Sequence, residues 1–276
     1  MTETQSETTA ARRLVDLLRH VRIVDLTVPI ASDLPCQTPE SYPFFLNVLN
    51  YYNWPRGRYV AHFISTSDHV GTHVDSPNHF VPASREDLPA DLLTSERAAE
   101  LPETPRASVA ELPIEQLMGP ADVIDVRYRC RDVPAGERTV LAHSPVITEA
   151  DVRDWEREHG AIQPGDVAIF WTGWADLHYR RFPEGYSFDR SHPGLDAEVV
   201  HYLADHGVRA LGIDTHGPGR LEDDVSPHWA MGIRDVASVV RLCNLGQLPA
   251  RGAFFLFLPI KIEGVSGGLG RAIAFV

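Results

Sequence analysis

The chain has 276 residues, 43% of them hydrophobic and 23% charged, with a formal net charge of −13. That composition is ordinary for a soluble globular protein with a sizeable core, and the negative balance argues against nucleic acid or anionic membrane as partners. No apolar run approaches the ~18 residues needed to span a bilayer, and the polar opening MTETQSETTAARR lacks the apolar stretch of a secretory signal.

Residues 1–20 read as a flexible N-terminal segment, the first ten being polar with little to bury, and residues 21–276 as one domain. RIVDLTVPI (22–30) reads as a first strand. YPFFLNVLNYYNWPRGRY (42–59), dense in aromatics and broken by Pro55 and Gly57, reads as an irregular segment or hairpin that covers a pocket or forms a subunit contact. VAHFISTSDHV (60–70) is strand-like. From 82 to 113 the composition predicts loops with one short helix, and ADVIDVR (121–127) a strand. In TEADVRDWEREHG (148–160), Thr148 can cap a helix that Asp151 answers, with Gly160 ending it in the left-handed conformation. GDVAIFWTGW (165–174) predicts a central strand. LDAEVVHYLADHG (195–207) places Leu195, Val199, Val200 and Leu203 on one helical face and stops at Gly207. VRALGID (208–214) and AFFLFLPI (253–260) read as buried strands. GVSGGLGR (264–271) reads as a flexible turn, since it lacks the context and the lysine of a phosphate loop. RAIAFV closes the chain as the last strand. Strands and helices alternate through the middle and extra strands lie at both ends, which predicts an α/β, mixed-sheet single domain.

The cysteines Cys36, Cys130 and Cys243 are odd in number and widely spaced, which is neither a disulfide framework nor a CxxC zinc site and fits a reducing, cytoplasmic home. The histidines are more informative. In HVGTHVDSPNHF (69–80) the donors His69, His73, Asp75 and His79 all fall on odd positions. In an extended chain they share a face. A helix fits worse, because Asp75 rotates away from the two histidines and Pro77 breaks it. Four residues of straight strand span ~13 Å, far more than two bonds of ~2.0–2.2 Å to one ion. The chain must bend, and Gly71 permits the kink. Two histidines and an aspartate suit zinc, manganese or iron with positions left open for water or substrate, and His79 is close enough to serve as general acid or base.

His69-x-Gly71-Thr72-His73-x-Asp75-x-Pro77-x-His79 resembles the HxGTHxDxPxH signature of the metal-dependent cyclase family, which includes bacterial kynurenine formamidases and isatin hydrolases. The likeness extends to VDLTVPI, GDVAIFWTGW and LGIDT, and so covers the chain from about residue 22 onward. It implies a swivelling β/β/α type of fold, a homo-oligomer (dimer or tetramer), and a small-molecule substrate whose formamide, amide or lactam C–N bond is cleaved by metal-activated water. On that likeness His69, His73 and Asp75 are metal ligands and His79 transfers the proton. Two-metal relatives add a later histidine, for which His228 in SPHWAMG is the candidate, and a glutamate. Here RLCNLGQL offers Cys243 at that place, which favours one divalent ion, zinc or manganese, over two. DTHGPGR has Gly217 where relatives often carry serine, so the pocket's polar contacts differ. His216, Trp54 and Trp174 are further candidates for substrate contact. Two other functions compete: a metal-dependent cyclase, lyase, dehydratase or isomerase acting on a biosynthetic intermediate, and a non-catalytic binding protein. The presence of His79 beside three metal donors counts against the second of these. No GxSxG elbow marks a serine hydrolase.

Overall fold

The computed structural model describes residues 9–36, 43–53, 57–82, 97–103, 106–130 and 143–276. Its strands in chain order are β1 (Ile23–Asp25), β2 (Phe45–Tyr51), β3 (Val60–Ser65), β4 (His73–Asp75), β5 (Met118–Asp125), β6 (Val146–Ile147), β7 (Val167–Trp171), β8 (Gly194–Leu195), β9 (Ala210–Ile213), β10 (Ala237–Val240), β11 (Ala253–Pro259) and β12 (Gly267–Phe275). Eight form one sheet in the order β1-β12-β11-β5-β7-β9-β10-β4, and β4 also pairs with β12. The row from β12 round to β4 therefore closes on itself. The sheet is mixed: β5, β7, β9 and β10 run parallel, while β11, β12, β1 and β4 join antiparallel. The fold is a mixed α/β single domain.

The apolar run in β7 has a physical reason. Val167 and Ile169 enter a core with Leu26, Phe255 and Phe257, while Ala168 and Phe170 enter a second core with Trp155, Val199 and Leu203. A strand covered on both faces loses the alternation of a half-exposed one. The second core is closed by helices Glu149–His159, Ala197–Asp205 and Val225–Arg234. Asp151 answers the Thr148 cap by accepting from its N–H at 2.7 Å and its hydroxyl at 3.0 Å. Gly160 ends this helix with φ +90 and ψ 163, a positive φ but not the left-handed helical conformation expected of it. Leu195 lies in β8, ahead of the helix that Asp196 caps, and is buried beside Val199 and Val200.

Two expectations gain detail and a third is corrected. Residues Ala10–Leu18 form a helix capped by Thr9, within the segment expected to be flexible throughout; none of its side chains is buried, so its apolar residues have no core to report it in the sequence pattern. The aromatic segment is a hairpin of β2 and β3. Gly267–Gly270 belong to β12, not to a turn: glycine is needed because a Cβ at Gly270 would lie 2.3 Å from the Leu258 carbonyl, and one at Gly267 would meet the His69 ring.

Asp214, just past the end of β9, is 1% exposed and its Oδ1 accepts from Thr172 N–H at 2.9 Å and Oγ–H at 2.6 Å. Burial outweighs these bonds and raises its carboxyl from 3.8 to about 7. As pH rises from about 4 to 7 the unfolded chain gives up this proton while the folded chain keeps it, so folding stability falls, by roughly 2–4 kcal/mol in all. Asp214→Asn keeps the acceptor and removes the titration. Its urea midpoint is expected to gain on that of the wild type across this window and to run parallel above about pH 8; parallel profiles from pH 4 upward would contradict the assignment.

Candidate metal centre

β4 is short and central. It lies between β10, which pairs Ser238 with Asp75, and the start of β12, which pairs Gly267 with Asp75. Val74 points into the core, so His73 and Asp75 share the opposite face. Before β4 the chain turns at Gly71, with φ +58 and its N–H donating to the Cys36 carbonyl at 2.7 Å. Thr72 pins the turn: its hydroxyl donates to the Arg241 carbonyl at 2.7 Å and accepts from Val28 N–H at 3.0 Å. This bend brings His69 back over Asp75, with His69 Nε2 3.5 Å and His73 Nε2 3.2 Å from Asp75 Oδ1. A Cβ on Gly71 would meet Ile30 at 2.7 Å as well as strain a positive φ. Gly71→Ala is therefore expected to cost about 1–3 kcal/mol of stability, read as a lower urea midpoint; an unchanged midpoint would mean the bend needs no glycine.

The histidines are oriented from behind. His69 Nδ1 donates to the Asp68 carboxylate at 2.9 Å, His73 Nδ1 to the Gly71 carbonyl at 2.8 Å, and His228 Nδ1 to the Asp224 carbonyl at 2.6 Å. With Nδ1 donating, His69 and His73 each turn a lone pair on Nε2 toward Asp75, the arrangement that backs metal-binding histidines. His228 enters from helix Val225–Arg234 with Nε2 3.7 Å from Asp75 Oδ2, and Ser238 donates to the same oxygen at 3.1 Å. His79 stacks on His69 with ring centroids 4.1 Å apart, its Nδ1 3.3 Å from the Ser266 hydroxyl.

Charge follows burial. Desolvation alone would raise Asp75, but the histidines around it, His73 first, hold its carboxyl well below the usual range. Burial lowers His73 and takes His79 down to about 4 against the pull of Asp75, so both rings are neutral near pH 7. His228 is buried too, yet the carboxylates of Asp224 and Asp75 flank it and raise it to about 10. A divalent cation fits this donor set on two observations. His69 Nε2 and Asp75 Oδ1 are buried without a hydrogen-bond partner, and donor atoms of His69, Asp75 and His79 all lie within 4.8 Å of one another. Buried polar atoms are normally satisfied, and two such orphans that both offer lone pairs to one point are what a cation would complete.

The residues picked out in the sequence divide. His69, His73, Asp75, His79, His216 and His228 line one cavity of about 220 Å³. Cys243 does not: its backbone N–H bonds to the Leu26 carbonyl and its side chain packs against an apolar cluster that includes Val28 and Trp174. Burial pushes its thiol up to about 12, away from the thiolate that binds metal. Trp174 is also core, 1% exposed with Nε1 donating to the Phe188 carbonyl at 2.8 Å. Trp54 lies outside the described residues. Asp68, Asp224, Ser238 and Gly267 also shape the site, from positions outside the motif. Only Asp68, adjoining the motif, had a local signal.

A mixed α/β domain with histidines and a carboxylate converging on one cavity has the form of a metal-dependent enzyme. Residues 24–220 match the model of the Cyclase family, "Putative cyclase" by its description. The chain belongs to the Cyclase family. It is 24% identical over 269 residues to isatin hydrolase from Roseibium aggregatum, across 93% of this chain and 92% of that one. Two solved structures share the fold: isatin hydrolase A from Ralstonia solanacearum (27% identity, TM-score 0.78, 99% of both chains) and isatin hydrolase A from Labrenzia aggregata bound to benzyl benzoate (26%, TM-score 0.77, 97% and 99%).

Proposed function

We propose that this protein is a metal-dependent hydrolase that cleaves the C–N bond of a small amide, formamide or lactam, in keeping with its isatin hydrolase relatives. The observation that carries the reading is the pair of orphaned atoms, His69 Nε2 and Asp75 Oδ1, facing one point in the cavity. His69, His73 and Asp75 would hold one divalent ion, zinc or manganese. Bound there, the ion supplies Lewis acidity that polarises a carbonyl and acidifies water. The chain's own groups do the rest. Asp68 and the Gly71 carbonyl keep the ligand rings aimed. His79, held neutral, takes a proton from the attacking water as its oxygen adds to the carbonyl carbon. It returns that proton to the departing nitrogen as the C–N bond breaks, leaving an amine and a carboxylic acid.

The hairpin of β2 and β3 supports a homo-oligomer: Leu46, Val48, Phe63 and Ile64 are each more than half exposed on it, and a lone two-stranded hairpin is marginal in water. The free cysteines support a cytoplasmic setting, and no helix among the described residues is long and apolar enough to cross a membrane.

Elemental analysis after metal loading is expected to find about one ion per chain, since Cys243 lies away from the cavity. A panel of formamides, lactams and amides should yield products whose masses together exceed the substrate's by one water, as two fragments from an open-chain amide and as one ring-opened acid from a lactam. Two tightly held ions per chain would refute the single-ion assignment. Products isomeric with the substrate, or lighter by water, would replace hydrolysis with isomerase or lyase chemistry.

A further inference from the structure

On the wall of the cavity, His216 is backed by a cluster that the reaction described above does not use. Arg241, at the end of β10, is 0% exposed and holds φ +54, a conformation uncommon outside glycine. Its backbone is locked in place: the N–H donates to the Thr215 carbonyl at 2.9 Å, and the carbonyl accepts from Thr72. Its guanidinium reaches the Pro35 carbonyl at 3.4 Å, lies 3.5 Å from Asp189 Oδ1, and donates to His216 Nδ1. The Asp189 side chain is only 7% exposed, with Oδ1 3.1 Å from the same nitrogen but making no hydrogen bond.

A buried cation in an unusual backbone conformation is costly to keep, and what it does here is set one tautomer. A guanidinium has five N–H donors and no acceptor. Toward the guanidinium Nδ1 of His216 can only accept, and a neutral ring that takes this bond carries its proton on Nε2. No described residue takes up that Nε2, and the ring lines the cavity. Beside it Gly217 contributes no side chain to compete.

We propose that His216, with Nδ1 held by Arg241, recognises the substrate by donating its Nε2–H to an acceptor oxygen, the carbonyl of the substrate or the carboxylate of the product. Asp189 and Arg241 are positioning residues that act through it. The inference rests on the hydrolase reading only in naming the oxygen's source. It specifies substrates that present a carbonyl or carboxylate oxygen to this wall.

Two measurements test it. In zinc-loaded, ¹⁵N-histidine-labelled protein, long-range proton–nitrogen correlations should show the His216 ring, identified by its loss in His216→Gln, bare at Nδ1 and protonated at Nε2. Protonated Nδ1 with bare Nε2 would overturn the proposal. Formate, acetate and benzoate are then titrated calorimetrically into wild type, His216→Phe and His216→Gln, all with equal metal content. The glutamine amide can donate from near the Nε2 position and phenylalanine cannot. His216→Phe should weaken carboxylate binding roughly tenfold, as for one lost hydrogen bond to a charged group, and His216→Gln should stay within about threefold. A wild type that binds none of the three, a phenylalanine variant that binds like wild type, or a glutamine variant as weak as phenylalanine each overturns it. The hydrolase reading fails separately, if wild type turns over nothing in the amide panel while carboxylate binding still depends on His216.

Discussion

Asp75→Asn is expected to leave a folded protein that neither holds its metal nor turns over substrate. Asp75 is the point on which the cavity converges: His69 and His73 face one oxygen, His228 and Ser238 the other. Asparagine keeps the shape and one acceptor, so Ser238 retains a partner and β4 retains its pairing with β10 and β12. What disappears is the buried negative charge. Loss of a residue that only supports a ligand typically costs 10–100-fold in metal affinity, and a ligand should cost more, so a fall beyond about 100-fold is expected. Lewis-acid stabilisation is worth several kcal/mol, which at 1.36 kcal/mol per decade is about 10³-fold or more in kcat/KM. Metal content by elemental analysis and kcat/KM at saturating metal check both. An asparagine variant that keeps a full complement of metal would show that the ion sits elsewhere.

His79→Ala should behave in the opposite sense, keeping its metal while turnover drops by ~10²–10⁴-fold, the usual worth of general acid–base catalysis. The geometry makes this a sharp test, because a His79 nitrogen lies within the same 4.8 Å group as the donors of His69 and Asp75. His73, by contrast, is backed by the Gly71 carbonyl and faces Asp75 at 3.2 Å, as a ligand would. A tetrahedral ion with four protein ligands has no place for water, so not all four of these residues can bind in a catalytic site of that geometry. His73→Ala is expected to arrive metal-poor and His79→Ala metal-replete. The reverse pattern would exchange the roles of the two histidines. If His79→Ala turns over like wild type, His216 or His228 becomes the first candidate to carry the proton.

Much of the centre was legible because its donors are local. His69, His73, Asp75 and His79 lie within eleven residues, and strand periodicity together with Gly71 is enough to say that they converge. The same holds for elements whose pattern repeats along the chain: the buried strand at 167–171, and the helix that Thr148 and Asp151 start. Two readings failed where packing between distant segments decides. The family likeness sets Cys243 at the place of the relatives' glutamate and chemical type suggests Trp174 for the pocket, yet side-chain direction beyond a strand is fixed by packing, and both face an apolar cluster. The glycines at 267–270 looked like a turn because small residues serve equally in turns and where two backbones approach closely.

The sequence by itself therefore determined which residues could hold an ion and the alternation of strands and helices, since both depend on side-chain type and short-range geometry. The tertiary structure alone decided what completes the site. His228 and Asp224 reach it from a helix some 150 positions later, Gly267 makes room for the His69 ring, and Arg241 closes on His216. These contacts arise only when β4 is threaded between β10 and β12, and no local period records which distant strand a three-residue segment will join.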